Sequence, residues 1–551
     1  MISIFFGQLF DRKLTQTIPA AVYLFMLLSY LLAITGHVSH IISMLAVYET
    51  GGIAAIFYLS LVKRKDVREP FKDIGNLIFI IIIFILWGIS LHMRVTNFDD
   101  FHSWAITPKD MYFVNGLPTG SMASTYYRDY FPTVYIIDFL IFKLLGRFSE
   151  SAMFFALWAL MLVSLTGFLH RRDGEDRMFY ACRAVAGIML PFLISFQFLH
   201  CLGTDILATT VFGSSLVYIL EGSDPDDVFS FSRIILAVTI LGMLKTTSLM
   251  LAMVCLGVYF VRNIEIRKIM FWVRFLMLSG TTVAFWYSWK YFCRIKGNST
   301  YLSDNLENNL ASGHSGFPDY AASTVRDFIG RLFTYGLNDG GAGLTSIMIL
   351  IIFSVSFIIY MRHNDNIRRD LSSFVVILLG MAAYLLVMIY IYLFVFEEWE
   401  ALSLSSYDRY ISTYFGAMLF IALYLMLGKD DWPRWVRPLV VILLAMTINF
   451  GYVAKTMIVS GYEKEYGSLI AEIDSIEEEF MQKAGNLPTY GENIVIVDYS
   501  DDQLRAKVLP YAAVPGVTRL IRPDDKGAMP DEKEIAYEAA EYNARIIDLR
   551  R

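Results

Sequence analysis

The sequence predicts an all-α polytopic membrane domain followed by a small α/β domain outside the membrane. Three observations predict it. Apolar runs of about 17–25 residues, the length that crosses a bilayer as a helix, recur between residues 19 and 453. Charged residues make up only 18% of the 551-residue chain, whereas a soluble globular chain carries roughly a quarter; the mean hydropathy is +0.50. After residue 455 the apolar runs stop, and short strand-like and helix-like patterns alternate.

The net charge of -6 does not set orientation, which depends on where Lys and Arg lie. No basic stripe interleaved with exposed aromatics points to nucleic acid. Cys182, Cys201, Cys255 and Cys293 fall in or beside apolar segments and read as packed thiols, not as a disulfide framework. Residues 19–37 are long enough to span and lack a small-residue cleavage site, so no cleavable signal peptide is expected.

About thirteen crossings are expected, at 19–35, 41–61, 76–93, 151–169, 180–200, 201–220, 234–244, 247–260, 269–292, 344–360, 374–396, 414–427 and 436–453. The basic run Lys63-Arg-Lys-Asp-Val-Arg68 and the pair Arg12, Lys13 place the N-terminus in the cytoplasm. The loop that carries Asp99 and Asp100 then lies outside. Residues 132–145 are apolar but short, and they carry Asp138 and Lys143. Laid along the outer surface, they leave the arginines of 171–177 inside. The boundary expected between the two domains is 455/456, with outer loops at 94–150 and 293–343. The second domain reads as helix 463–483, strand 494–498, helix 501–511, strand 517–521, helix 533–543 and strand 544–549, an order that suits a small parallel sheet.

Acids beside a bilayer are costly unless used, so Asp99 and Asp100 are the first candidates. A carboxylate there can take a proton from an incoming hydroxyl, and two adjacent acids could divide deprotonation and acceptor binding. The plainer reading is that Asp99 caps a helix beginning near His102. His102 itself reads as a supporting helix-face residue, with metal ligation as the other option. Asp205, in Leu202-Gly-Thr-Asp-Ile-Leu, either faces the outer cavity or caps the helix it opens. Lys245 interrupts an apolar pair, where it either binds phosphate or snorkels. Arg409 enters the membrane from outside, and a guanidinium forks onto phosphate oxygens; the alternative is an ion pair with Asp408 or another acid of its own loop. The loop 296–345, with His314, Asp319, Arg326, Arg331 and Asp339, is polar and could cover the site. Asn298-Ser-Thr300 matches a glycosylation sequon.

Several of these features recur in a fixed order along the chain. An outer loop opens with the acidic pair of Phe98-Asp-Asp-Phe, and a turn Asn115-Gly-Leu-Pro118 follows. Tyr130-Phe-Pro then leads a short helix to Leu145-Gly146. Asp205 stands in a Thr-Asp pair, Leu244-Lys-Thr246 forms a turn, and Asp408-Arg-Tyr410 begins a late span. This order resembles the GT-C superfamily of integral-membrane glycosyltransferases, most of all the branch with protein O-mannosyltransferases and lipid A aminoarabinose transferases. The sequence departs from that pattern in having two earlier spans, Asp-Asp where Asp-Glu is frequent, and Tyr-Phe-Pro for Tyr-Pro-Pro. The resemblance implies an inverting enzyme that uses a polyprenyl-phosphate-linked sugar as donor.

The expected function is transfer of a sugar from that donor to a glycan, lipid or protein acceptor at the outer face of a bacterial plasma membrane. Asp99 is expected to be the general base, with Asp100 as the alternate. Arg409 and Lys245 would hold the carrier phosphate, and Asp205, His102 and Tyr410 would orient donor or acceptor. The leaving phosphate is already a stable anion, so no metal or other cofactor is demanded. Two other classes fit the composition: a polysaccharide polymerase or ligase using lipid-diphosphate oligosaccharides, and a non-enzymatic flippase for lipid-linked sugars.

Overall fold

A computed structural model describes residues 1–125, 127–172, 174–194, 199–222, 227–265, 267–300, 317–337, 343–362, 366–428, 435–523 and 528–549. Seven helices are long and apolar enough to cross a bilayer: Leu14–Ile34, Val38–Leu61, Glu150–Leu169, Arg177–Ile194, Ile269–Lys296, Ile367–Phe394 and Tyr407–Leu427. The pair Val436–Met446 and Phe450–Met457, bent by 68°, raises the number to at most eight. Ile74–Ser90, Val228–Gly242, Ser248–Asn263 and Ser346–Arg362 are apolar but shorter. Thirteen full-length spans are therefore not found among the described residues.

Helix length explains the difference and bears on the site. Asp205–Glu221, Val228–Gly242 and Ser248–Asn263 have 17, 15 and 16 residues. At about 1.5 Å per residue each is roughly 22–26 Å long, a few Å short of a ~30 Å hydrocarbon core. Their connecting turns thus draw polar groups inward. Thr133–Leu145 is a 13-residue helix ending at Gly146 in the left-handed region (φ 70°), too short to cross and placed where a surface helix was expected. The N-terminal helix Ile2–Phe10, which packs against Ile41–Leu61, was not expected from the sequence.

Burial sorts the long helices into centre and rim. Of the apolar stretches of Glu150–Leu169 and Tyr407–Leu427, 83% and 89% of residues are buried, against 17% for Val38–Leu61, Ile269–Lys296 and Ile367–Phe394. The rim exposes apolar side chains such as Phe57, Leu276 and Leu386, as a lipid-facing surface does. At the centre, glycine lets Asp205–Glu221 meet Tyr407–Leu427 closely. A Cβ on Gly213 would stand 2.6 Å from the Phe420 ring, and one on Gly416 would stand 2.7 Å from Thr209.

Ion pairs gather the helix ends into two sets. At one end Arg12 meets Asp227 at 2.6 Å, Lys65 meets Asp11 at 2.5 Å, and Arg262 meets Asp370 at 2.5 Å. There Asp73 also accepts from Thr15 at 2.8 Å and lies 3.0 Å from His170. These are the loops that the Lys/Arg pattern assigns to one side. The opposite ends carry the Asp99 loop and the C-terminal domain.

That domain begins with the helix Val459–Ala484. It continues through β1 (Asn493–Val497), the helix Gln503–Ala512, β2 (Val517–Ile521), the helix Glu532–Glu541 and β3 (Arg545–Asp548). The three strands form a parallel sheet in the order β2-β1-β3. The apolar run Ile494-Val-Ile-Val497 places β1 in the middle, buried on both faces. Each of these elements lies within a few residues of its expected position.

The domain is clamped onto the outer loops. Arg94 donates to Glu150 and Asp474, each at 2.8 Å. Tyr511 donates to the other Glu150 oxygen at 2.8 Å, and Lys109 Nζ donates to the Tyr511 carbonyl at 2.9 Å while lying over its ring. Ser124 Oγ donates to the Gly516 carbonyl at 3.1 Å.

Beneath this clamp Asp110 is fully buried and accepts the Ser124 N–H, at 2.9 Å. Burial, opposed by the Ser124 bonds, pushes its carboxyl up from 3.8 to about 7. A raised folded-state value means that this group's stability contribution is full below about pH 4 and is lost as pH rises through 7. Asp110→Asn, which cannot ionise, is expected to melt a few degrees higher than the parent at pH 8, from about 1–3 kcal/mol. Thermal unfolding in detergent checks this, and the gap should narrow at pH 5 and close below about pH 4.

Candidate active site

Four charged side chains from four separate segments form a chain across the end of the helix bundle that carries the Asp99 loop. Arg409 donates to Asp99 and lies 3.4 Å from Asp205. Lys245 donates to the other Asp205 oxygen. The order is Lys245, Asp205, Arg409, Asp99, with cation and acid alternating. Only the last member is open to solvent: side-chain exposures are 13%, 5%, 15% and 44%.

Local structure places each member. Asp99 ends a short turn in which Asn97 Oδ1 accepts the Asp99 N–H at 2.9 Å. It is followed by one π-helical turn, Asp100–Trp104, closed by Ala105 N–H donating to the Asp100 carbonyl at 2.8 Å. A widened turn of this kind re-aims side chains and is frequent at functional sites. Asp205 opens the Asp205–Glu221 helix, and Lys245 lies in the turn between the two short helices. The Thr204 hydroxyl ties these loops by donating to the Leu244 carbonyl at 3.4 Å. Arg409 stands in the first turn of Tyr407–Leu427. Two residues just ahead of it, Leu404 (φ 52°) and Ser406 (φ 56°), are left-handed without being glycine, a conformation that persists only where the surroundings enforce it. Here Tyr392 donates to the Ser405 carbonyl at 2.7 Å and Arg331 to that of Ser403 at 3.0 Å.

The two adjacent acids do not share a task. Asp100 is 0% exposed, and both its oxygens accept the Leu202 N–H, at 3.0 and 3.2 Å. Burial first, then the like charge of Asp99, push its carboxyl well above the usual range, against the Leu202 bond. Consecutive residues at the start of a tight turn point in different directions, so Asp100 is turned into the protein towards the 201–204 loop while Asp99 stays open to solvent. It ties the Asp99 loop to that turn. The capping alternatives also fail. Neither Asp99 nor Thr204, the residue before Asp205, makes a side-chain cap bond, and both acids are held by cations instead. Arg409 pairs with acids of two other loops. Lys245 bonds within the protein and does not snorkel.

His102 packs its ring against Phe98 at 5.1 Å. Burial, helped by the Lys507 charge, lowers its imidazole to about 4, so it is neutral at pH 7 and sits beside the charge chain. Tyr410 accepts from Arg409 at 3.2 Å, and its ring lies 5.2 Å from both the Arg409 and Lys245 charges. An aromatic wall stands here. Trp104 meets Tyr130 at 5.3 Å, and Tyr130 meets Tyr127 at 5.0 Å, with the Tyr130 hydroxyl in the field of Arg409 and Tyr410. The Tyr130-Phe-Pro turn was the available signal. Lys507, from the second domain, was missed by sequence reasoning; nothing in its local sequence sets it apart.

In the loop 296–345, His314 and Asp339 lie outside the described residues. Arg326 pairs with Asp327 at 3.3 Å, and Arg331 braces Ser403. Asn298 is buried and accepts the Gly120 N–H at 2.7 Å, so the sequon is a structural contact. A cavity of about 560 Å³ lies at the opposite ends of the same helices, against Arg172, Glu221, Arg262 and Asp370. It has no part in the charge chain.

No family model matches the sequence, and no curated protein is similar to it. Among solved structures the chain is similar to ArnT from Cupriavidus metallidurans bound to undecaprenyl phosphate. The identity is 12%, with 86% of this chain and 89% of that chain covered and a TM-score of 0.46. A likeness this loose identifies no family, and the functional reading stands on the residues of the charge chain.

Asp100 supplies a check on its role as a tie. Asp100→Asn keeps an acceptor for Leu202 and should melt close to the parent. Asp100→Ala strands a buried N–H and should lose about 1–3 kcal/mol; thermal unfolding of the purified protein at pH 7 distinguishes the two.

Proposed function

We propose that the chain is an inverting glycosyltransferase of the GT-C kind, moving a sugar from a polyprenyl-phosphate donor to an acceptor hydroxyl at the outer face of the membrane. The observation that carries this reading is the contact of Arg409 with both Asp99 and Asp205. It joins a solvent-reachable carboxylate and two cations of a kind suited to phosphate in one network at the helix ends. Sugar transfer from a lipid phosphate needs those groups at that depth.

In the proposed reaction Asp99 takes the acceptor proton as the acceptor oxygen attacks the anomeric carbon. The bond from that carbon to the phosphate oxygen breaks, and its electron pair leaves with the polyprenyl phosphate. Charge grows on that phosphate in the transition state, and Arg409 and Lys245 are placed to stabilise it. Arg409 is held by Asp99 before the donor binds. An entering phosphate competes for the guanidinium, and its binding frees the carboxylate to act as a base. Asp205 keeps both cations in place, and Tyr410 with the aromatic wall offers flat surfaces to a sugar ring. The acceptor is a cell-surface glycan or lipid in this reading, and the membrane is a bacterial plasma membrane with the C-terminal domain outside.

Asp99→Asn is expected to lower sugar transfer by at least about 10²-fold, the usual weight of a general base, while polyprenyl phosphate still binds. Arg409→Lys keeps the charge and loses the fork, and should weaken polyprenyl phosphate binding with the fold intact. Transfer assays in detergent and a lipid-binding titration read these effects. Wild-type transfer by a folded Asp99→Asn protein overturns the reading.

A further inference from the structure

The C-terminal domain reaches the charge chain with one side chain. The Gln503–Ala512 helix packs on the Asp100–Trp104 turn, and from it Lys507 extends its amine to 3.9 Å from the Phe98 ring centre. Phe98 immediately precedes Asp99, and its ring is 54% exposed. Lys507 lies within the electrostatic reach of both Asp99 and Arg522. Arg522 is fixed by two neutral carbonyls, of Ser500 at 3.0 Å and Asp502 at 2.7 Å.

These two cations differ from their neighbours. Arg505 holds Asp498 at 3.0 Å and Glu479 at 2.7 Å, Arg519 holds Glu538, and Arg545 holds Glu492 at 2.8 Å. Among the described residues no carboxylate lies within ion-pair distance of Lys507 or Arg522. A half-buried ammonium beside a second cation, with Asp99 acting on it only at a distance, is unfavourable. Burial and the Arg522 charge together lower its value to about 8. The pair therefore forms a positive rim with unused capacity for an anion. It stands on the solvent side of Asp99, the side from which an acceptor must approach, while the carrier-phosphate cations Arg409 and Lys245 lie deeper.

We propose that Lys507, with Arg522 behind it, is an acceptor-binding residue that selects acceptors carrying a fixed negative charge, phosphate or carboxylate, close to the hydroxyl that receives the sugar. This deepens the function proposed above and rests on it for the word acceptor. Lys507 contacts the anion, Phe98 supplies an apolar face for the adjoining ring, and the hydroxyl is left towards Asp99. The second domain is then part of the specificity of the enzyme as well as a brace.

The test uses the purified full-length chain in detergent with Lys507→Gln and Lys507→Arg, three water-soluble probes and one lipid. The probes are a glycerol-phosphate oligomer, a glucuronic acid oligomer and a neutral glucose oligomer; polyprenyl monophosphate is the lipid. The parent should bind one or both anionic oligomers better than the neutral one, and which of them binds tells phosphate from carboxylate. Lys507→Gln should weaken that binding by about tenfold or more, Lys507→Arg should largely retain it, and polyprenyl monophosphate binding should be unchanged in both. Equal binding of charged and neutral oligomers, or no loss in Lys507→Gln, overturns the proposal. If oligomer binding depends on Lys507 but the parent does not bind polyprenyl monophosphate, the anion site stands and the transferase reading falls.

Discussion

A guanidinium taken out of water at a helix end must find negative charge, and the outer face of this molecule is arranged around that need. Arg409 is nearly buried and is held between Asp99 and Asp205. Desolvating it costs several kcal/mol, which only well-placed carboxylates offset. The two acids would repel one another without it. So the cation fixes the distance between the loop after Ile74–Ser90 and the start of Asp205–Glu221. Lys245 extends the alternation, and the left-handed residues Leu404 and Ser406 set the direction from which Arg409 enters. The network, two cations and two acids, is neutral as a whole.

The rest of the fold supports that arrangement at two levels. Inside the bundle, glycines at 213 and 416 allow the helices that carry Asp205 and Arg409 to pack closely along their length, so their ends cannot drift apart. Outside it, the second domain holds the Asp99 loop through Glu150, Tyr511 and Lys109, while Asp100 ties the same loop to the 201–204 turn. The central helices are short, so the turns that carry Asp205 and Lys245 lie close to the polar end of the bundle.

Asp99, Asp205, Lys245 and Arg409 were legible in the sequence because each interrupts or flanks an apolar run, where a charge is costly and so conspicuous. Asp100 was legible as unusual, but sequence shows only that two acids are adjacent; which way each points is set by the π-turn. The apolar runs also marked the helices, of which seven, or eight with the bent pair, are long and apolar enough to cross a bilayer among the described residues. Composition cannot tell a helix that crosses lipid from one whose last turn ends within the protein. The second domain was read nearly element by element, since its strands and helices alternate with local turn signals.

Lys507 shows the opposite case. Nothing local distinguishes Lys507 from other lysines of a charged helix, and its meaning comes from docking more than 400 residues away from Phe98. The sequence alone determined a membrane-embedded helical body, a small parallel-sheet domain after it, and the few charges that a bilayer does not tolerate without a use. Tertiary structure decided which of those charges meet, which acid stays open to solvent, and which surface the second domain covers. The physical reason is range: hydrophobicity and desolvation act on each residue where it stands, whereas an ion pair exists only between partners that the whole fold has brought together.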